Sequence, residues 1–408
     1  MTKAHFHLLI VLSSVTLGAQ AGGPDKVRPT STATYTIEPL TSPAGLNTES
    51  PQLTIEGDRA ILSWLENHGE HAILKFAERS ATGWLSTRTV ASGGDLLVNA
   101  ADVPSVRALP DRSLVAAWLQ TGSDPEGYSL RIARSTDGGV TWSPPSTPHR
   151  EDPKAQHGFT SIFPLAGGGF GLVWLDGRET AGMTLRSAEY GADGARRREM
   201  GVDDRVCECC PTSAAVTSEG PIVAFRDRSA DEIRDIAIVR LIGGKWTPPR
   251  AVHRDGWRIE GCPVNGPSVS ARGAQVAIGW FTVQAGAGRA YAAFSEDSGR
   301  TFGEPVRVDD GTAIGRLQVS ILPDGAAVVS WIESTKLGSQ LKVRRIERSG
   351  TRSAPIVVAD APGSAHPRMT ATSRELLLAW VEQTRGTTRV RTARAALPQR
   401  SAADLPLR

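Results

Sequence analysis

Seven aromatic residues, Trp64, Trp118, Trp174, Phe225, Trp280, Trp331 and Trp380, each end a short apolar run, and successive members stand 54, 56, 51, 55, 51 and 49 residues apart. Between them lie strand-length stretches and turn residues, with no helical periodicity. A strand-built repeat of about fifty residues buries its faces only against its neighbours, which is the pattern of radial repetition. The spacing predicts an all-β chain folded as a β-propeller of seven blades, each a four-stranded antiparallel sheet. Six blades remain the alternative if a terminal repeat is incomplete.

The repeat runs without a linker through most of the 408 residues, so a single propeller domain is expected over 34–396. Its last repeat, Pro367 to Ala395, supplies three strands before a polar tail at 397–408. The segment Thr34 to Leu40 alternates in the manner of a strand and is the candidate fourth member, closing the ring and removing the open edges. A closed ring of this kind is expected to be monomeric. Turn chemistry agrees: Pro110-Asp111 and Pro323-Asp324-Gly325 fall between first and second strands.

The first 21 residues read as an export signal: Lys3 gives a positive start, Leu8 to Leu17 is largely apolar, and Ala19-Gln20-Ala21 is a small-x-small cleavage site. Residues 22–33 would then be a linker. No later stretch approaches the ~20 apolar residues that span a bilayer. A periplasmic or secreted protein is expected. The formal net charge of +3 is too small to argue for nucleic acid.

Two turns share the pattern S-x-D-x-G-x-T-[WF]: one carries Ser135, Asp137, Gly139 and Trp142, the other Ser295, Asp297, Gly299 and Phe302. Both fall between third and fourth strands. The Asp accepts backbone N–H groups, the Gly takes a positive φ and the aromatic tucks beneath, so these are staples of the fold. In these turns and in its repeat the chain resembles the Asp-box (BNR repeat) propellers of the sialidase superfamily. The resemblance implies the fold far more specifically than a reaction, because Asp-box propellers include sialidases, other glycosidases and binding proteins without hydrolytic activity.

Propeller ligands usually sit at the mouth of the central channel, on the face opposite the Asp-boxes. To that face the repeat assigns Asp176-Gly177-Arg178-Glu179, Arg226-Asp227-Arg228, Asp231, Arg234 and Asp235, together with His157, Trp257-Arg258-Ile259-Glu260 and Arg316. One reading is an anion clamp, with Arg178, Arg226, Arg228 and Arg316 gripping a carboxylate or sulfate, His157 nearby, and Asp176 or Asp227 handling protons. The other is an interblade ion-pair network. The sialidase resemblance would add a tyrosine nucleophile assisted by a glutamate. Only Tyr128, with Glu126 before it, is placed for that role, and it stands earlier in the chain than the family's nucleophile. The family's N-terminal Arg-Ile-Pro motif is absent. The expected ligand is an anionic glycan or a small molecule, and no cofactor is required for that chemistry.

All four cysteines fall in two neighbouring repeats: Cys207, Cys209 and Cys210 in Val206-Cys-Glu-Cys-Cys-Pro-Thr212, and Cys262 before Pro263. Cys210-Pro211 and Cys262-Pro263 occupy equivalent positions one repeat apart, so the two groups should meet near the channel mouth. Three readings stay open: two disulfides, a thiolate site for copper or zinc, or a redox pair. The metal or redox propeller is the alternative to the glycan-directed one.

Overall fold

The computed structural model describes residues 35–124, 127–150, 154–179, 182–362 and 365–397. The segments expected to be an export signal and a linker, together with Glu126 and the tail beyond Leu397, lie outside the described residues. Within them the chain forms seven antiparallel blades arranged as a propeller, with no α-helix. None of its helices is long and apolar enough to cross a membrane.

Blade 1 comprises Thr48–Glu56, Arg59–His68, His71–Glu78 and Arg88–Gly93, and blade 3 comprises His157–Pro164, Phe170–Asp176, Thr184–Tyr190 and Arg196–Asp203. Blades 4, 5 and 6 begin with the inner strands Ser213–Thr217, Ser268–Arg272 and Thr312–Ile321. In blade 2, Ser105–Ala108, Leu114–Thr121 and Tyr128–Ser135 are regular, while the outer position shrinks to one bridge between Ile132 and Ser146. Pro144 and Pro145 precede that bridge and have no N–H to donate to a ladder.

Blade 7 closes as expected, over a shorter stretch. Its inner strands Arg368–Ala371, Glu375–Thr384 and Thr387–Ala396 are completed by Glu38–Leu40, in the register Glu38 to Arg394, Pro39 to Ala393 and Leu40 to Thr392. Thr392 Oγ1 also donates to the Leu40 carbonyl at 2.9 Å. Tyr35, just before the strand, is buried, and its hydroxyl meets the Arg345 guanidinium at 3.3 Å.

The second strands explain the repeat. Each lies between two neighbouring blades and is buried on both faces, so it reads as a nearly unbroken apolar run, as in Phe170–Asp176. Its aromatic packs against the preceding blade. Trp174 lies with Val115, Leu119 and Leu130 of blade 2, Phe225 with Val173 and Leu175 of blade 3, and Trp280 with Ile222 and Ile236 of blade 4. Trp64 of blade 1 meets Leu377, Ala379 and Val390 of blade 7, which carries the rule around the closure. Full burial of a side chain this large is worth roughly 2–3 kcal/mol or more, so each repeat fastens one joint of the ring.

The two turns of pattern S-x-D-x-G-x-T-[WF] are held by the contacts their residues suggest. Asp137 accepts the Val140 and Thr141 N–H groups at 3.0 Å and the Thr141 hydroxyl at 2.6 Å, while Ser135 Oγ accepts from Gly139 N at 2.7 Å. Gly139 has φ +87°, and a Cβ there would strike the Phe76 ring of blade 1. Trp142 stands edge-on to the same ring, with centroids 6.0 Å apart. Asp297 repeats the arrangement with Ser295 and Thr301.

Candidate functional site

The inner strands surround a central cavity of about 1200 Å³ whose walls come from all seven blades. On the face away from the Asp137 and Asp297 turns its mouth is framed by the segments leading into those strands. Four residues there have left-handed backbone: Ser50 (φ 53°), Phe159 (φ 52°), Val264 (φ 50°) and Arg316 (φ 58°). None is glycine, and for the β-branched Val264 this conformation is costly, by roughly 1–3 kcal/mol. Such strain persists only where the surroundings fix it.

Of the four candidate arginines, Arg316 alone lines this cavity. Its Nε and one terminal nitrogen are buried without a hydrogen-bond partner among the described residues, and burial lowers its pKa to about 10. Arg368, from the adjacent inner strand, lies beside it. This side chain is 7 % exposed, its Nε has no partner, and burial with the repulsion of Arg316 lowers its pKa to about 10. Both stay protonated at neutral pH. Two arginines that line the channel and keep buried, unpartnered N–H donors form a site short of an anion.

Asp102 is the third charged member of the mouth. Burial raises its pKa to about 7, against a hydrogen bond from the Phe159 backbone and the attraction of Arg368. Its Oδ2 has no hydrogen-bond partner. Gly158 is required beside it, because a Cβ there would overlap Asp102 Oδ2 and approach the Tyr128 ring. Near neutrality a fraction of Asp102 is therefore a neutral carboxylic acid, able to donate a proton or a hydrogen bond.

The other candidates are held by the protein itself. Arg178 forks onto Asp176 through Nε to Oδ1 at 2.7 Å and a terminal nitrogen to Oδ2 at 2.6 Å, and also pairs with Glu199 at 2.9 Å. Asp176 is fully buried, accepts from Trp174 Nε1 at 2.7 Å and faces His157 Nδ1 at 3.2 Å. Although burial opposes it, contacts with His157, Arg178 and Trp174 hold this carboxyl well below the usual range. Asp176 therefore remains ionised and is unsuited to act as a general acid at neutral pH. His157 is fully buried and lies outside the cavity wall.

Arg226 corrects the sequence expectation most sharply. It is 1 % exposed and donates to three carbonyls, those of Asn265 at 2.8 Å, Arg234 at 2.5 Å and Phe281 at 2.7 Å. Its guanidinium lies 4.9 Å above the Trp257 ring, and burial lowers its pKa to about 9. Arg226 joins blades 4 and 5 and presents nothing to the mouth. Arg228 pairs with Glu208 at 2.6 Å and with Glu232 at 2.8 Å. Arg205 and Arg234 grip the same Glu232 at 3.2 and 2.9 Å. The hydrogen bonds from Arg228 and Arg234 lower the Glu232 pKa to about 2. The clamp seen in the sequence thus exists, but its anion is the protein's own. Asp227 accepts only from the Arg228 N–H, at 2.7 Å, and burial and Asp235 raise its pKa.

Tyr128 stands next to Asp102 at the start of a third strand. Burial and that carboxyl push its phenol up, away from the phenolate a nucleophile needs. Glu126, its expected partner, lies outside the described residues. Arg368 and Asp102 were missed by sequence reasoning. Their signal was a charge at or just before the start of an inner strand, in His366-Pro367-Arg368-Met369 and in Asp102-Val103-Pro104.

The cysteines meet as the repeat predicts, in the disulfides Cys207–Cys210 and Cys209–Cys262 with Cα separations of 5.6 and 6.0 Å. The Sγ atoms of Cys207, Cys209 and Cys210 lie within 4.8 Å of one another. All four sulfurs are in bonds, so none is presented as a thiolate, and copper or zinc would need them reduced first.

No family model matches the chain, and no curated protein matches it in sequence. Among solved structures it is similar to the polysaccharide lyase Uly1, at 11 % identity with TM-score 0.50 over 84 % of this chain and 89 % of that one. It is also similar to the NanB sialidase of Streptococcus pneumoniae, at 9 % identity with TM-score 0.47 over 88 % and 94 % of the two chains. The α-L-arabinofuranosidase Arb93A of Fusarium graminearum gives 14 % identity with TM-score 0.46 over 89 % and 96 %. These neighbours are propellers that act on glycans, and at such identities the likeness establishes the fold alone.

Proposed function

We propose that this chain is a glycan-directed propeller that binds an acidic sugar at the channel mouth, with Arg316 and Arg368 holding the carboxylate or sulfate and Asp102 donating a hydrogen bond to it. The observation that carries this reading is the pair of buried guanidinium groups with unpartnered N–H donors on the cavity wall. Burying a cation without a counter-charge costs several kcal/mol. An arriving anion would relieve that cost, and the planar fork suits a two-oxygen group. The Asp-box turns and the resemblance they carry support placing the chain within the sialidase superfamily as a divergent member. Export as a monomer to the periplasm or beyond accompanies this reading, on the strength of the first 21 residues.

Binding is favoured over sialidase hydrolysis because Tyr128 has a raised phenol and Asp176 and Asp227 lie outside the cavity wall. Titration calorimetry with N-acetylneuraminyl and glucuronyl oligosaccharides, using neutral lactose as control, tests the proposal. Saturable binding of an acidic sugar is expected, weakened about tenfold or more by Arg316→Ala or Arg368→Ala. Equal affinity for lactose, or full affinity in both variants, would refute it. A thiolate metal site stays the second reading only for the reduced chain.

A further inference from the structure

The two disulfides differ in access. Cys207 and Cys210 are buried to 0 and 1 % exposure, whereas Cys262 is exposed and Cys209 half-buried. Arg234, itself 3 % exposed, brings a guanidinium nitrogen to 3.6 Å from Cys207 Sγ. That contact, with Glu232 answering the same guanidinium at 2.9 Å, encloses the Cys207–Cys210 bond and leaves Cys209–Cys262 as the accessible one.

The accessible bond is joined to the channel mouth by a short run of contacts. Three residues beyond Cys262 comes Asn265, whose Nδ2 donates to the Pro263 carbonyl at 3.3 Å and to the Ile314 carbonyl at 3.1 Å. Its Oδ1 accepts the Arg316 backbone N–H at 2.9 Å. Between them, Val264 is held at φ 50°. Gly266 lets this segment touch the lead-in of blade 4, since a Cβ there would overlap the Pro211 carbonyl. A strained, left-handed Arg316 is thus fixed by an Asn whose own loop is tied down through Cys262.

We propose that Cys209–Cys262 is a thiol-exchange site for an external dithiol, and that opening it releases the segment that positions Arg316. The consequence for ligand binding rests on the reading of Arg316 as a ligand group. A thiolate of the dithiol attacks the exposed Cys262 Sγ, the Cys209–Cys262 bond breaks, and Cys209 leaves as a thiolate that takes a proton from solvent. The second thiol of the reductant then attacks the sulfur of its own mixed disulfide. The reductant departs as its internal disulfide, and Cys262 is left as a thiol after taking a proton. Two electrons pass from the dithiol to the protein. Cys207–Cys210, shielded from solvent, stays oxidised. Without its tie, the Cys262–Asn265 segment no longer holds the Arg316 backbone in its left-handed conformation.

The folded, oxidised chain is treated with dithiothreitol at neutral pH, quenched at intervals with an alkylating agent and mapped by mass spectrometry, with amide hydrogen exchange followed in parallel. Cys209 and Cys262 should be labelled at least tenfold faster than Cys207 and Cys210, and exchange at the Arg316 amide should accelerate at least tenfold with them. The Cys209→Ser/Cys262→Ser variant should show the fast Arg316 amide without any reductant. Equal labelling of all four cysteines, or labelling only under denaturant, overturns the exchange site. Selective labelling with an unchanged Arg316 amide overturns the coupling. Neither readout needs a sugar, so both stand apart from the Arg316→Ala titration that tests the binding reading itself.

Discussion

The rings of His149 and His157 lie stacked, 3.7 Å between centroids and 11° from parallel, sealed between blades 2 and 3. His149 Nε2 accepts the Leu130 N–H at 3.2 Å, and its Nδ1 faces the Arg150 carbonyl at 2.9 Å, which assigns the neutral ring with its proton on Nδ1. Burial, reinforced by His157, lowers the His149 pKa to about 4. A free chain protonates this ring near 6.5. Between those values the unfolded state binds more protons, so stability is complete above about pH 6.5 and falls as the pH drops towards 4. The loss should be on the order of 3 kcal/mol. Urea unfolding at pH 7 and pH 4.5 measures it, and His149→Gln should flatten the slope. An unaltered slope in that variant would move the acid sensitivity elsewhere.

Asp102 has the opposite sign, because its folded pKa is raised. The folded state keeps a proton that the unfolded chain releases near 3.9, so its contribution to stability declines as the pH rises from about 4 to about 7. The same ionisation turns a hydrogen-bond donor at the mouth into a negative charge. Affinity for an acidic sugar should fall several-fold between pH 6 and pH 8, and Asp102→Asn should remove that dependence. A pH profile identical in wild type and variant would take Asp102 out of the site.

Replacing Arg226 tests the division between architecture and ligand. Arg226→Ala strands three buried carbonyls and uncovers the Trp257 face, so a loss of about 3 kcal/mol or more is expected. Arg226→Lys should recover little, because one ammonium cannot serve three divergent acceptors. Denaturant midpoints give the energies. Because Arg226 also holds the Asn265 carbonyl behind Arg316, sugar affinity of the folded fraction should fall less than in Arg316→Ala, and a loss equal to that of Arg316→Ala at full stability would restore Arg226 to the ligand face.

Asp137 and Asp297 hold equivalent turns in blades 2 and 5. Asp137→Ala and Asp297→Ala should each lower Tm by about 1–3 °C, and the double variant should show their sum, because the turns share no partner. Scanning calorimetry decides it. Strong non-additivity would mean that one box conditions the other through the ring.

The architecture was legible because a blade must bury both faces of its second strand, and that requirement leaves a repeat that survives any change of individual residues. The aromatics at 64 to 380 mark joints, and the structure places each against the preceding blade. The meeting of Cys262 with the triplet followed from the same repeat. The site was less legible, since sequence position tells which face a charge is on and not which group answers it. Asp176-Gly177-Arg178 and Arg226-Asp227-Arg228 look like a clamp, yet Arg178 answers Asp176 and Glu199 of its own blade, Arg228 answers Glu208 and Glu232, and Arg226 answers backbone carbonyls, that of Phe281 from the next blade. Arg368 and Asp102 are single charges in apolar contexts. What marks them is the lack of a partner, and that can be seen only after folding.

The strand Glu38–Leu40 pairs with the last strand of the chain, and this fixes an order in time. While the chain is being made, Glu38–Leu40 has no partner strand and Trp64 of blade 1 has no neighbour until Glu375–Thr384 and Thr387–Ala396 have been delivered. For that interval the growing protein is an open arc with an unpaired edge at its beginning and another at its growing end, the state most exposed to wrong partners. Assembly therefore has a final step that joins the earliest part of the ring to the latest, and the channel mouth, whose wall draws on all seven blades, is complete only after it.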